Sequence, residues 1–169
     1  FRRVLFRSTL PRNSDTPKKT EPAVVQAAKP VASSVAQKHE SQKVVFKPPG
    51  EDEIPKNEFG DMVRLGEKIF HDTQSNAKEF VGNSLQCSNC HLDAGRLANA
   101  APLWAAYVAF PTYRAKNGHV NTFQERMQGC FMYSMNGKAP ALNDKVLVAL
   151  ESYAYYLAKG APIGAELPG

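Results

Sequence analysis

Three stretches of the chain carry the pattern of helices, and all lie after residue 57. In EFGDMVRLGEKIFHD the apolar Phe59, Met62, Val63, Ile69 and Phe70 recur at intervals of three, four and seven, the repeat that gathers side chains on one helical face. Gly66 falls on that face four residues before Phe70, where a missing side chain lets a second helix approach closely. NDKVLVALESYAYYLAKGAP carries a second stripe, Leu147, Leu150, Ala154 and Leu157, with Asn143 placed as N-cap and Gly160 and Pro162 as the stop. Between them, Thr122 followed by Glu125 forms a capping box, which predicts a helix from Phe123 to Met135 ended by Asn136-Gly137. That helix contains Cys130, with Arg126 one turn earlier on the same face. The predicted fold class is all-α, with a first and a last helix that cross.

Upstream the periodicity stops. Residues 9–56 hold seven of the twelve prolines among many Lys, Ala, Ser, Gln and Glu residues, too little apolar surface to offset the entropy of ordering them. They are expected to form a disordered, partly extended spacer before a domain of residues 57–169, with VVQAA and KVVF as short apolar islands that dock locally. Residues 1–8, FRRVLFRS, resemble the in-frame translation of a sequencing-adapter tail and are expected to be non-native. A signal peptide or membrane tether would then belong to a native N-terminus that precedes this sequence.

Composition narrows the function classes. The net charge is +5, and Arg2, Arg3 and Arg7 supply three of those units. The mild basicity left in the remainder does not point to nucleic acid, and no run of roughly 18 apolar residues exists to span a membrane.

The chemistry lies in LQCSNCHLDAGR, where Cys87, Cys90 and His91 stand as C-x-x-C-H. That spacing attaches a c-type haem: two thiols bond the porphyrin and the adjacent histidine reaches the iron. A zinc knuckle would need further Cys or His pairs at short spacing, and the sequence has none. His91 is the expected proximal ligand of one covalently attached haem c. For the distal position the candidates are Cys130, Met135, Met132, Met127, His71 and His119. Met135 lies in the segment before the last helix, a position suited to a His/Met electron carrier. Cys130 has Arg126, Arg114 and Lys116 nearby in sequence, cations that lower a thiol pKa and favour the thiolate that iron binds. On residue chemistry alone both ligands stay open. Haem attachment of this kind takes place outside the bacterial cytoplasmic membrane, so the expected location is the periplasm or cell surface. In that oxidising setting the leftover thiol of Cys130 needs a partner or a ligand role.

Taken together, LGEKIFHDTQ…FVGNSLQCSNCHLDAGR, FPTYRAKNG, ERMQGCFMYSMNGKAP and ALESYAYYLAKGAPIG resemble the N-terminal haem domain of the tetrathionate-forming thiosulfate dehydrogenases. A more distant resemblance is to the thiosulfate-binding cytochrome of the bacterial sulfur-oxidation multienzyme system. The likeness covers about residues 59–165. It implies a class I cytochrome c-like fold and an active-site haem with His and Cys axial ligands. By motif position Cys130 matches the ligand cysteine and Arg126 an active-site arginine. Arg114, at the end of F-P-x-Y-R, looks like a member of the same basic wall, a place that Lys116 could also fill. The implied partners are thiosulfate and tetrathionate, and an acceptor c-type cytochrome or a second haem domain. Those enzymes carry a second C-x-x-C-H, and this sequence has one, which is expected of a single-haem relative or of a shortened chain.

Overall fold

The protein is described by a computed structural model covering residues 46–164 and 167. The adapter-like residues 1–8 and residues 9–45 of the expected spacer lie outside the described residues.

Two helices make the frame. α1 spans Glu58–His71, with Asn57 as its N-cap accepting from the Gly60 amide at 2.9 Å. At the other end of the chain lies the long helix Lys145–Leu157. Its N-cap is Asp144, which accepts from the Val146 amide at 2.8 Å, one residue later than Asn143. The two helices cross at Gly66. A Cβ there would lie 2.0 Å from the Ala149 carbonyl oxygen and 2.8 Å from Tyr153 Cβ, so only glycine permits this approach. Around the crossing Val63, Ile69, Phe70, Trp104, Leu147, Leu150, Tyr153 and Leu157 are buried, and their removal from water is the main force holding the domain.

Shorter elements run between them: α2 (Thr73–Asn76), α3 (Cys87–Cys90), α4 (Leu92–Gly95), α5 (Leu103–Val108), strands β1 (Thr112–Arg114) and β2 (His119–Asn121), and α6 (Phe123–Gly129), which makes the last helix α7. The strands form an antiparallel hairpin in which Thr112 faces Asn121, Tyr113 faces Val120 and Arg114 faces His119. Asn117-Gly118 closes it, with Gly118 at φ 72°, the left-handed geometry that favours glycine in tight hairpin turns. No helix among the described residues is long and apolar enough to cross a membrane.

Two regions differ from expectation. The helix predicted over 123–135 is α-helical only to Gly129. From Cys130 to Ser134 it widens to a π-turn, in which the Met135 amide donates to the Cys130 carbonyl at 3.0 Å. Asn136 then takes φ 50° and ends the element. The spacer, expected to run to residue 56, is packed on the domain from Phe46 onward. The Phe46 ring sits 5.0 Å from Trp104, Arg96 donates to the Pro49 carbonyl, the Tyr156 hydroxyl donates to the Gly50 carbonyl, and Ile54 is buried. Two apolar anchors on a stretch that Pro48, Pro49 and Pro55 already restrict give this segment enough burial to order.

Candidate functional site

The C-x-x-C-H motif occupies α3, a single helical turn fastened from both sides. The Gln86 amide donates to Asn89 Oδ1 at 2.8 Å. Buried Thr73 donates to the Ile69 carbonyl at 2.9 Å and lies 3.6 Å from Cys87 Sγ. Burial pushes the Cys87 thiol up to about 11, which suits a sulfur that ends in a thioether and never has to ionise in place. His91 follows, with Nδ1 2.5 Å from the Ala101 carbonyl. A carbonyl can only accept, so Nδ1 carries the proton and Nε2 keeps its lone pair free for a metal. The stretch from α4, whose Asp93 and Ala94 leave helical geometry, to Ala101 beside His91 holds Asp93, Ala94, Asn99 and Ala101 at φ values of 51° to 63°, a set of strained non-glycine residues of the kind that collects at functional sites. Tyr153 and Trp104 anchor that loop from the core, donating to the Ala94 and Arg96 carbonyls at 2.8 and 3.0 Å.

His91 faces a cavity of about 850 Å³ whose walls include Leu103, Phe110, Phe123, Arg126, Met127 and Cys130. A smaller recess of about 90 Å³ continues it inward to Cys87, Cys90, Phe70 and Met135. Two thiols and an imidazole therefore border a largely apolar slot that Met127, Cys130 and Met135 also line. This donor set and shape fit a haem c, held covalently by Cys87 and Cys90 and ligated through His91.

Cys130, which lines the same cavity, opens the π-turn, a distortion that often marks functional positions in helices. Arg126 Nη1 donates to Cys130 Sγ at 3.0 Å. Cations were expected to lower this thiol, but burial outweighs them and moves it upward, with Arg126 and then Arg114 pulling the other way. Coordination to a metal overrides such a shift, since a coordinating thiol is deprotonated outright. Arg114, half-buried on β1, acts on Cys130 from the hairpin, whereas Lys116 is exposed in the turn beyond it.

Of the remaining distal candidates, Met135 is buried and lines the inner recess, and Met127 lines both parts of the cavity. Met132 points to the surface, His71 ends α1 exposed, and His119 is exposed on the hairpin. Sequence reasoning missed Thr73, Ala101 and buried Asn121. Thr73 follows Ile69 by one turn, which would have suggested a back-bonded hydroxyl, but nothing local to Ala101 or Asn121 signals their partners.

Comparison with known proteins agrees with a cytochrome c fold. Residues 66–163 match the family model described as SoxA/TsdA, cytochrome c domain. A thiosulfate dehydrogenase of Thiomonas intermedia (strain K12) is 60% identical over 124 residues, which are 73% of this chain and 40% of that protein. One from Stutzerimonas stutzeri (strain A1501) is 54% identical over 124 residues, with the same coverage of 73% and 40%. The chain thus spans about two-fifths of the length of these relatives. Among solved structures, the thiosulfate dehydrogenase TsdBA from Marichromatium purpuratum in its as-isolated form superposes with a TM-score of 0.70 at 47% identity, covering 73% of this chain and 28% of that one. With more than half of its 169 residues matched, the chain belongs to the SoxA/TsdA cytochrome c domain family, a helical cytochrome c fold that carries a covalently bound c-type haem.

Proposed function

We propose that this domain oxidises thiosulfate to tetrathionate, or runs the reverse reaction, with Cys130 as distal ligand and sulfur nucleophile and Arg126 as the principal substrate cation. The observation that carries this reading is the 3.0 Å bond from Arg126 to Cys130 Sγ in the cavity that His91 also lines. A neutral electron carrier has no need of a guanidinium aimed at a thiol inside its cavity. Thiosulfate is a dianion, and a guanidinium holds sulfonate-like oxygens through paired charge-assisted hydrogen bonds. Arg126 would seat the first thiosulfate with its outer sulfur beside Cys130, and Arg114 would add positive field from the hairpin.

The bound haem supplies a one-electron relay between this pocket and an acceptor. Cys130 thiolate and the outer sulfur of thiosulfate form a sulfur–sulfur bond, giving a cysteine S-thiosulfonate and releasing two electrons, which leave singly to an acceptor c-type cytochrome or second haem domain. A second thiosulfate attacks the cysteine-bound adduct at the sulfur bonded directly to Cys130 Sγ, with the Cys130 thiolate as leaving group. Its attack forms the central bond of tetrathionate and returns the Cys130 thiolate. Charges balance without any proton transfer, which accords with a pocket built from arginines rather than from acid–base groups. The site of haem attachment in this class implies a periplasmic or cell-surface location.

One observation favours a second reading. Met135 is buried on the same recess as His91, as a His/Met electron carrier would require. A low-temperature electron paramagnetic resonance spectrum of the matured ferric protein separates the two, taken beside Cys130→Ala. A low-spin signal of narrow g-spread that vanishes in the variant is expected, together with loss of tetrathionate formation. A His/Met-type spectrum indifferent to the substitution would refute the thiolate ligand and favour electron carriage.

A further inference from the structure

Asn121 is 2% exposed, yet it sits at the end of an otherwise exposed hairpin and points at no part of the cavity. Its side chain closes a ring of hydrogen bonds. Oδ1 accepts from Asn117 Nδ2 at 2.6 Å, and Nδ2 lies 2.7 Å from His119 Nε2. His119 Nδ1 in turn lies 3.1 Å from the Asn117 carbonyl. With a neutral imidazole at His119 the donors and acceptors of the ring fall into one arrangement. The Asn117 carbonyl must accept, so His119 Nδ1 carries the proton and donates. His119 Nε2 then accepts from the Asn121 amide, whose oxygen takes the Asn117 donor. Every polar atom facing inward in the ring is satisfied, as a buried amide requires.

The ring joins three places in the fold. Asn117 is in the turn, where its own amide and that of Gly118 both donate to the Arg114 carbonyl at 2.9 Å. His119 is the strand partner of Arg114, and Asn121 that of Thr112. Thr112, Arg114, His119 and Asn121 therefore share one face of the hairpin, while Tyr113 and Val120 occupy the exposed one. Asn121 also directly precedes Thr122, the N-cap of α6, whose amide donates to Glu125 Oε2 at 2.6 Å. The helix so capped carries Arg126 and ends at Cys130.

We propose that Asn121, closing the Asn117–His119–Asn121 ring, is a positioning residue that fixes the hairpin face bearing Arg114 against the start of α6, so that Arg114 and Arg126 converge on Cys130 as one anion-binding pair. The inference rests on the thiosulfate reading only for the substrate toward which Arg114 is held. Without the ring the hairpin keeps its strand pairing and the 3.7 Å approach of His119 Nε2 to Glu125 Oε1 of α6, but the side-chain tie that holds the turn to Asn121 is lost and the Arg114 strand is less firmly placed.

The test uses the matured holoprotein with Asn121→Ala, Asn121→Asp and His119→Ala, the last opening the ring at an exposed residue if Asn121→Ala does not fold. Two readouts are taken. Trypsin cleavage after Arg114 reports the opening of the hairpin, and steady-state kinetics report thiosulfate KM and kcat separately. Cleavage is expected to quicken in both alanine variants. KM should rise about tenfold with kcat little changed and the haem spectrum unmoved, the signature of lost substrate binding rather than lost chemistry. Asn121→Asp, which keeps the acceptor for Asn117, should recover part of the effect. Unchanged cleavage in both alanine variants would overturn the inference. So would faster cleavage with an unchanged KM, because Asn121 would then order the hairpin without placing Arg114. A wild-type protein that does not oxidise thiosulfate would sink the functional reading instead, and cleavage would still decide the ring.

Discussion

Gly137→Ala places one methyl group where two backbones touch. Gly82 and Gly137 hold the segment after the π-turn against the loop that leads into the C-x-x-C-H motif. The Gly82 amide donates to the Met135 carbonyl at 2.9 Å, the Lys138 amide to the Phe80 carbonyl at 3.1 Å, and Asn83 Nδ2 to the Ser134 carbonyl at 2.9 Å. A Cβ on Gly137 would lie 1.9 Å from the Phe80 carbonyl oxygen and 2.9 Å from Val81 Cα. Ordinary contact begins at 3.4 Å, so the two segments must part by about 1.5 Å, and no flexible side chain is available to yield instead. That movement stretches both backbone hydrogen bonds past useful length, at about 1 kcal/mol each. Residual overpacking adds roughly 2 kcal/mol, and the reduced freedom of the unfolded chain returns about 1 kcal/mol. The net loss of about 3 kcal/mol corresponds to a fall in Tm of roughly 12 °C for a domain of this size. Thermal unfolding of the holoprotein followed by far-ultraviolet circular dichroism measures it. Gly129→Ala is the control: a Cβ there meets nothing closer than 3.8 Å, and better helix propensity should raise Tm by a few degrees at about 1 kcal/mol. A Gly137→Ala protein melting within about 2 °C of wild type would refute the reasoning, since it would mean the clasp yields freely.

Three further outcomes follow from the same geometry. Arg126→Met should lower kcat/KM for thiosulfate by about 10²-fold or more by removing the donor to Cys130, and steady-state assay of tetrathionate formation would expose an unaffected variant. Thr122→Ala deletes the cap that accepts from the Glu125 amide at 3.2 Å. It should cost about 1 kcal/mol, or roughly 4 °C in Tm, by calorimetry. Burial, and then the neighbouring Glu51 carboxylate, raise the Glu67 carboxyl above the ordinary glutamate range. Between the unfolded value and that raised value the folded protein binds more protons than the unfolded chain, so Glu67 makes stability fall as pH climbs through the window. Glu67→Gln should flatten that part of a stability–pH profile, and an unchanged slope would show that Glu67 does not set it.

What could be read in advance was what local pattern encodes. The α1 stripe from Val63 to Phe70, the Gly66 crossing, the Thr122–Glu125 capping box and the Gly160 stop rest on local pattern, and each forms in the structure, while Phe59 of the same stripe stays exposed. The C-x-x-C-H signal is similarly local. The π-turn was not legible, because nothing in CFMYS disfavours an α-helix; it arises where Gly137 and Gly82 draw the end of the helix toward a loop some fifty residues earlier. KVVF reads as an apolar island that docks, and its Phe46 does so on Trp104, but the docking of residues 47–56 was hidden for the same reason. Proline-rich composition describes what the segment does alone, and its partners stand about fifty residues further on. The upward shift of Cys130 shows the limit from another side, since counting nearby cations in sequence takes no account of how far burial opposes them.

The opposition at Cys130 bears on the proposed chemistry. A thiol held down by exposed cations alone would be a steady thiolate, open to any oxidant in the surrounding medium. A thiol raised by burial and held in check by one guanidinium at 3.0 Å is poised differently. Were it to ligate a metal it would be ionised, and the Arg126 bond would stabilise that charge. If Cys130 is free to meet a substrate sulfur, the same guanidinium would hold both the thiolate and the arriving dianion, because its donors form a planar fork. Lysine at 126 would keep the charge but offer no second edge, so Arg126→Lys should retain thiolate ligation while losing most tetrathionate formation. Spectrum and turnover are then read on one sample. Loss of both together would assign Arg126 to ligation, and loss of neither would remove it from the site.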